Sequence, residues 1–278
     1  MTDEPAVPTL DTLTGLWTRS LIEWPDGRRD TTTDVFWLQG PGLYADLRQP
    51  IGAPDFSRVH RLADVTAAQL TWMATQEAFA GELLFDGDYF EWQRDIDFQP
   101  RSNRADRGRL AFERDVLVEH GENNAYLEHW HRGADATASG AARLLDEMDG
   151  ASAYLVRVGS SFMYARGRVT PLPASTQESA GSSTLSDTVR AASSPEAARK
   201  LLDFEVSFGV VSPEGWRIER SSLPFRRGQL LETSATGRST LSVLDSDFDE
   251  GTCERHWRIV ALRGHADSAF SLTAGKLP

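Results

Sequence analysis

The chain has 278 residues, 40% hydrophobic and 25% charged, with 22 glycines and 13 prolines. That is an ordinary globular composition, and it excludes collagen-like, low-complexity and wholly disordered chains. The formal charge of −12 sits mainly in residues 1–139, with 24 acidic and 13 basic side chains, which argues against nucleic acid or an anionic membrane as partner, since both are bound through Lys and Arg.

No run approaches the ~18 apolar residues of a membrane span. The acidic start Met1-Thr2-Asp3-Glu4-Pro5 lacks a signal peptide's apolar stretch. The single cysteine, Cys253, suits a reducing compartment. A cytoplasmic location is therefore expected.

Strand signals dominate from the start. Residues 15–24 form a mixed apolar run that ends in Trp24-Pro25-Asp26-Gly27, a turn with proline at its second position. Residues 31–39 and 43–48 follow as strands around Gly40-Pro41-Gly42. A helix capped by Asp64 or Thr66 runs to about Ala78, with Leu70 and Met73 at helical spacing. Asp86-Gly87 then joins residues 82–85 to 88–92 in the strongest hairpin signal of the chain. Strands at 109–119 and 124–132 complete the first half.

Residues 133–150, built largely of Ala, Gly, Ser, Thr and Asp, read as a break. Strands at 153–158 and 162–169 open the second half, and the Ser/Pro/Gly-rich stretch 171–184 reads as an exposed loop. Two short helices follow to Leu202, the second started by Ser194-Pro195-Glu196. Strands at 204–211, 216–222, 229–233, 240–245, 254–262 and 269–273 end the chain. Short strands with turns every 8–12 residues predict an all-β fold of sandwich or barrel type. The expected domains are 1–135 and 150–278, joined by a linker at 136–149.

Gly15-Leu16-Trp17 at the first strand resembles the calycin and lipocalin signature, in which the Trp plugs the closed barrel end and an Arg near the last strand lies across it. The resemblance gives Trp17 and Arg132 these structural roles. The longer pieces Val35-Phe36-Trp37-Leu38-Gln39 and Tyr44-Ala45-Asp46-Leu47-Arg48, with 92–100, 126–132 and 202–209, resemble a sparsely characterised family. Its fungal members are named for binding a casein kinase. That resemblance implies two lipocalin-like antiparallel β-barrels with a few short helices. The chain departs from true lipocalins in its double length and its lack of a disulfide.

Candidate chemistry is sparse. His129 and His131 share a strand face like a two-histidine metal pair, with His120, Glu119 or His60 as third ligand. The competing reading is a wetter strand face, and no metal is expected. Alternation places Trp92, Arg94, Ile96 and Phe98 on one face, opposite Glu91, Gln93, Asp95 and Asp97. An inward Arg94 needs a carboxylate or ligand partner, because an unpaired buried charge is very costly. The alternative is an exposed Arg94 whose stem covers Trp92. Nucleophile elbows, phosphate loops and dinucleotide fingerprints are absent from the sequence, and no cofactor is expected. An acidic setting would blunt Cys253.

The expected function is a binding module: an apolar small molecule, with or without an acid group, held in the first barrel by Arg94, Trp37, Tyr44, Trp92 and Trp130. One alternative is a cofactor-independent isomerase, hydratase or cyclase using Arg94 and His129. Another is a protein-interaction scaffold, which rests on the family resemblance alone.

Overall fold

The computed structural model describes residues 6–123, 125–133, 138–172, 184–237, 239–248, 251–265 and 270. The first half contains β1 (Gly15–Glu23), β2 (Arg29–Asp30), β3 (Asp34–Gln39), β4 (Leu43–Gln49), β5 (Glu77–Phe85), β6 (Phe90–Asp97), β7 (Arg107–Glu113), β8 (Val116–Gly121) and β9 (Leu127–Arg132). Neighbours pair antiparallel, and β9 returns to β1 with Arg132 opposite Trp17. Eight strands thus close into an up-and-down barrel, with β2 as a short extra rung on β1.

The second half contains β10 (Ser139–Leu145), β11 (Ser152–Val158), β12 (Ser161–Arg166), β13 (Glu205–Ser212), β14 (Gly215–Ser221), β15 (Thr233–Ala235), β16 (Thr240–Asp247) and β17 (Gly251–Gly264). Their order, β14-β13-β12-β11-β10-β17-β16-β15, is a curled sheet. The irregular segment 229–232 spans its two edges. It accepts from Ile218 N at Gln229 O (2.9 Å), donates from Leu231 N to Trp216 O (2.7 Å), and accepts from Leu244 N at Glu232 O (3.0 Å).

Among the described residues four short α-helices accompany the strands: α1 (Leu10–Leu13), α2 (Ala67–Met73), α3 (Leu185–Arg190) and α4 (Pro195–Leu201). Thr66 and Gln69 form a reciprocal capping box on α2, and Ser194 caps α4 with Pro195 in its first turn. Among the described residues no helix is long and apolar enough to cross a membrane.

Three apolar clusters hold the molecule. One fills the first barrel around Trp17, Trp37, Trp92 and Trp130, and another fills the second sheet around Tyr164 and Trp257. The largest lies between them, where the outward faces of β4 and β5 meet those of β11, β12 and β13 beneath α2, α3 and α4. Polar ties cross the same interface. Tyr154 donates its hydroxyl to Asp95, and Arg143 pairs with that carboxylate at 2.9 Å.

Residues 136–149, expected as a linker, contain β10 instead. Its small residues reflect a close approach: Ala141 lies in the interface core and Ala142 in the core of the second sheet. A Cβ on Gly40 of the first half would come within 3.2 Å of Ala141 Cβ and 2.8 Å of Val156. Small-residue composition here serves packing. The expected strand 109–119 is two strands, split by a turn in which Arg114 takes a positive φ of 57°. The loop expected at 171–184 falls mostly outside the described residues.

A shared device marks both halves. Between β5 and β6 the register slips at Ala80/Gly81, and between β13 and β14 it slips at Phe208/Gly209. In each case the following strand carries a bulge, and the glycine faces it: a methyl on Gly81 would overlap Gln93 O, and one on Gly209 would overlap Arg217 O. The two halves are thus similar in construction where their sequences are not close copies.

Candidate functional site

At the closed end of the first barrel, Trp17 is wholly buried and donates its indole N–H to Leu13 O at 2.7 Å. The Arg132 guanidinium lies 4.5 Å from the Trp17 ring centroid and donates to Thr14 O at 2.9 Å and to Thr12 O. Arg132 therefore ties the barrel end to the α1 turn as well as covering the indole.

The residues expected to line a ligand pocket inside this barrel lie against one another. Trp37 sits 5.9 Å from Trp17, 5.6 Å from Trp92 and 5.5 Å from Trp130, centroid to centroid. Tyr44 packs edge-on to Phe79 at 6.1 Å. These distances are those of favourable aromatic pairs in direct contact. These rings pack on one another and form the floor of the barrel.

Above this aromatic floor the barrel is charged. Arg94 does point inward, with its guanidinium 3.5 Å from the Phe79 centroid, but its two terminal nitrogens are taken by Asp97 (3.1 Å) and Asp106 (2.5 Å). Burial works against its charge, and these two carboxylates more than offset it. The expected alternation breaks at the β6 bulge: Ile96 and Phe98 turn to the interface core, and Asp97 comes to Arg94. Glu119 faces Glu128 across β8 and β9, and accepts from Tyr126 (2.7 Å) and the Trp130 indole (3.0 Å). Burial, and then the charge of Glu128, raises the Glu119 carboxyl well above the usual range. Glu128 is bound by Arg19 and lies 3.7 Å from Arg48.

His129 is not brought to Arg94. Glu128 and Trp130 occupy the inner side of β9, so His129 and His131 face outward, where His131 meets Ser20 Oγ at 2.8 Å. Glu119 is on the inner side of its own strand, away from that histidine pair. Burial, ahead of any neighbouring carboxylate, pushes the Cys253 thiol up.

An open cleft of about 1140 Å³ lies between the two halves. Its walls come from the end of β6 and the following turn (Ile96, Gln99, Arg101), the segment after β12 (Arg168, Leu172), and α4 with Phe204. Arg168 is held across the junction. It donates Nε to Leu201 O (3.1 Å), Nη1 to Asp97 O (3.0 Å) and Nη2 to Phe98 O (2.6 Å). Its guanidinium stands 5.5 Å from the Phe98 ring and 5.2 Å from Phe204. Burial brings its pKa down to about 10, which leaves it charged at neutral pH.

The carboxylates lining the cleft have their own partners. Asp95 is held by Tyr154 and Arg143, Asp97 by Arg94, and Asp187 by Thr184 and Arg190. This site leaves no mark in the sequence, where Arg168 reads as one more strand residue. Its role depends on contacts about 70 residues away, made when the halves pack.

A closed eight-strand antiparallel barrel with a second barrel-like sheet defines a lipocalin-like fold. No protein-family model matches the chain, and no curated protein does. Among solved structures the chain is similar to the uncharacterized protein YLR301w from Saccharomyces cerevisiae, at 10% identity and a TM-score of 0.49, over 90% of this chain and 98% of that one.

Proposed function

We propose that this protein binds a small, largely apolar molecule, and that it does so in the cleft between its halves. The observation that carries this reading is the open cleft of about 1140 Å³, set beside a barrel floor whose rings pack on one another. Small-molecule sites usually enclose about 300–1,000 Å³, are mostly apolar, and favour junctions between packed units. Ile96, Leu172, Ala192, Ala197, Leu201 and Phe204 supply such a wall.

The test is titration of the whole protein with N-phenyl-1-naphthylamine, a neutral fluorescent probe, followed by amide and indole NMR shifts. Amides of Ile96, Ser152 and Leu201 are expected to move, while the indole N–H signals of Trp37, Trp92 and Trp130 stay in place. Ala197→Trp, which fills the cleft from α4, is expected to abolish binding without lowering stability. Shifts confined to the barrel indoles, or binding unaffected by Ala197→Trp, would overturn the assignment.

A further inference from the structure

We infer that the molecule held in this cleft carries a carboxylate, and that Arg168 is its seat; the inference rests on the cleft being the ligand site. The argument is one of donors and charge. A guanidinium has five N–H groups, and Arg168 gives three of them to backbone carbonyls, one from each nitrogen. Two N–H groups therefore remain, one on each terminal nitrogen, as charge-assisted donors for a carboxylate. The flanking Phe98 and Phe204 rings and the three carbonyls fix the guanidinium plane in advance, so little side-chain freedom is lost when an anion docks.

Charge points the same way. Among the described residues no carboxylate lies within ion-pair distance of Arg168 or of Arg101, which donates to Asp95 O. The cleft's own aspartates are matched by other groups, Asp95 by Arg143, Asp97 by Arg94 and Asp187 by Arg190. Arg168 and Arg101 thus stand in a half-enclosed, largely apolar wall without a carboxylate paired to either. A carboxylate with a hydrocarbon or aromatic body satisfies both features at once. A neutral acceptor meets the same N–H groups with weaker, uncharged hydrogen bonds.

The experiment compares decanoate, decanol and decyltrimethylammonium on the whole protein by calorimetry. Decanoate is expected to bind roughly tenfold or more tightly than decanol, with the ammonium weakest. Arg168→Met is expected to remove that advantage, so that decanoate and decanol bind with similar affinity. Because Arg168 also clamps α4 to β6, a readout needing no variant accompanies it. The Arg168 Nε–H resonance of the labelled wild-type protein is expected to shift with decanoate and not with decanol. Equal binding of decanoate and decanol in the cleft, or a silent Arg168 resonance, would overturn the carboxylate assignment and leave the cleft reading standing. If none of the three binds in the cleft, both readings fall.

Discussion

Gly81→Ala tests the architecture at its most constrained point. Gly81 pairs with Arg94 across the β6 bulge, and an added methyl would overlap Gln93 O and lie 3.0 Å from Asp95 N. All the nearby atoms are backbone, so no side chain can swing away. The φ of Gly81 is not in the left-handed region, so conformational strain contributes nothing and the whole effect is overlap. Overpacking of this kind costs typically 1–3 kcal/mol, and forcing β5 from β6 weakens one or two ladder hydrogen bonds at about 1 kcal/mol each. The expected loss is therefore about 2–4 kcal/mol, or a melting point lower by roughly 3–7 °C for a chain of this size. Gly42→Ala is the control: its φ is +77° with nothing within 4 Å of the added carbon, so only strain of about 1 kcal/mol is expected. Urea unfolding followed by tryptophan fluorescence measures both. Equal losses from the two substitutions would refute the bulge argument.

Three further outcomes follow from the same geometry. Trp17→Ala is expected to cost about 3–5 kcal/mol in urea unfolding, since it removes a wholly buried indole and its bond to Leu13 O; Arg132→Ala, which loses stacking and two exposed-edge hydrogen bonds, should cost clearly less, and the reverse order would contradict the plug. The Tyr44 hydroxyl is buried with no hydrogen-bond partner among the described residues, so Tyr44→Phe is expected to leave stability unchanged or raise it by up to about 1 kcal/mol, and a loss beyond that would show a hidden partner. Asp30 is held at a pKa of about 2: burial opposes this, and bonds from Thr33 and Thr32 outweigh it. A depressed carboxyl stabilises the fold above its unfolded pKa of about 3.9, and that contribution vanishes as pH falls toward 2. Asp30→Asn should thus cost about 1–2 kcal/mol at pH 7, with the gap to wild type closing between pH 4 and 2.

What was legible in the sequence was local. Thr66 and Ser194-Pro195 mark the starts of α2 and α4 because a cap needs only the next three residues. Asp86-Gly87 marks the β5–β6 hairpin because the turn itself demands those residues. Alternation along β6 put Trp92 and Arg94 on one face, left open whether Arg94 turns inward or to solvent, and failed at Ile96 and Phe98. A bulge is set by the partner strand, here by Gly81, and leaves no mark in its own strand's pattern. Composition misled at β10 for a related reason, since Ala141 is small to admit Gly40 rather than to form a loop. The cleft was illegible altogether: its arginine, Arg168, is positioned by carbonyls from the other half.

The core shared between the halves has a consequence for synthesis. The barrel's last strand, β9, ends at Arg132, so its ladder can close while the interface strands up to β13 are still being made. Until they emerge, at roughly 5–20 residues per second, Leu43, Ala45, Leu47, Ala78 and Ala80 on its outer wall lack their covering. For several seconds a nearly complete barrel displays a sticky flank on the ribosome, the kind of surface that recruits chaperones or a neighbouring nascent chain. Gly81 lies within that flank's own strand, so a substitution that delays closure would lengthen the exposure, and poor soluble yield would follow even where the finished protein survives.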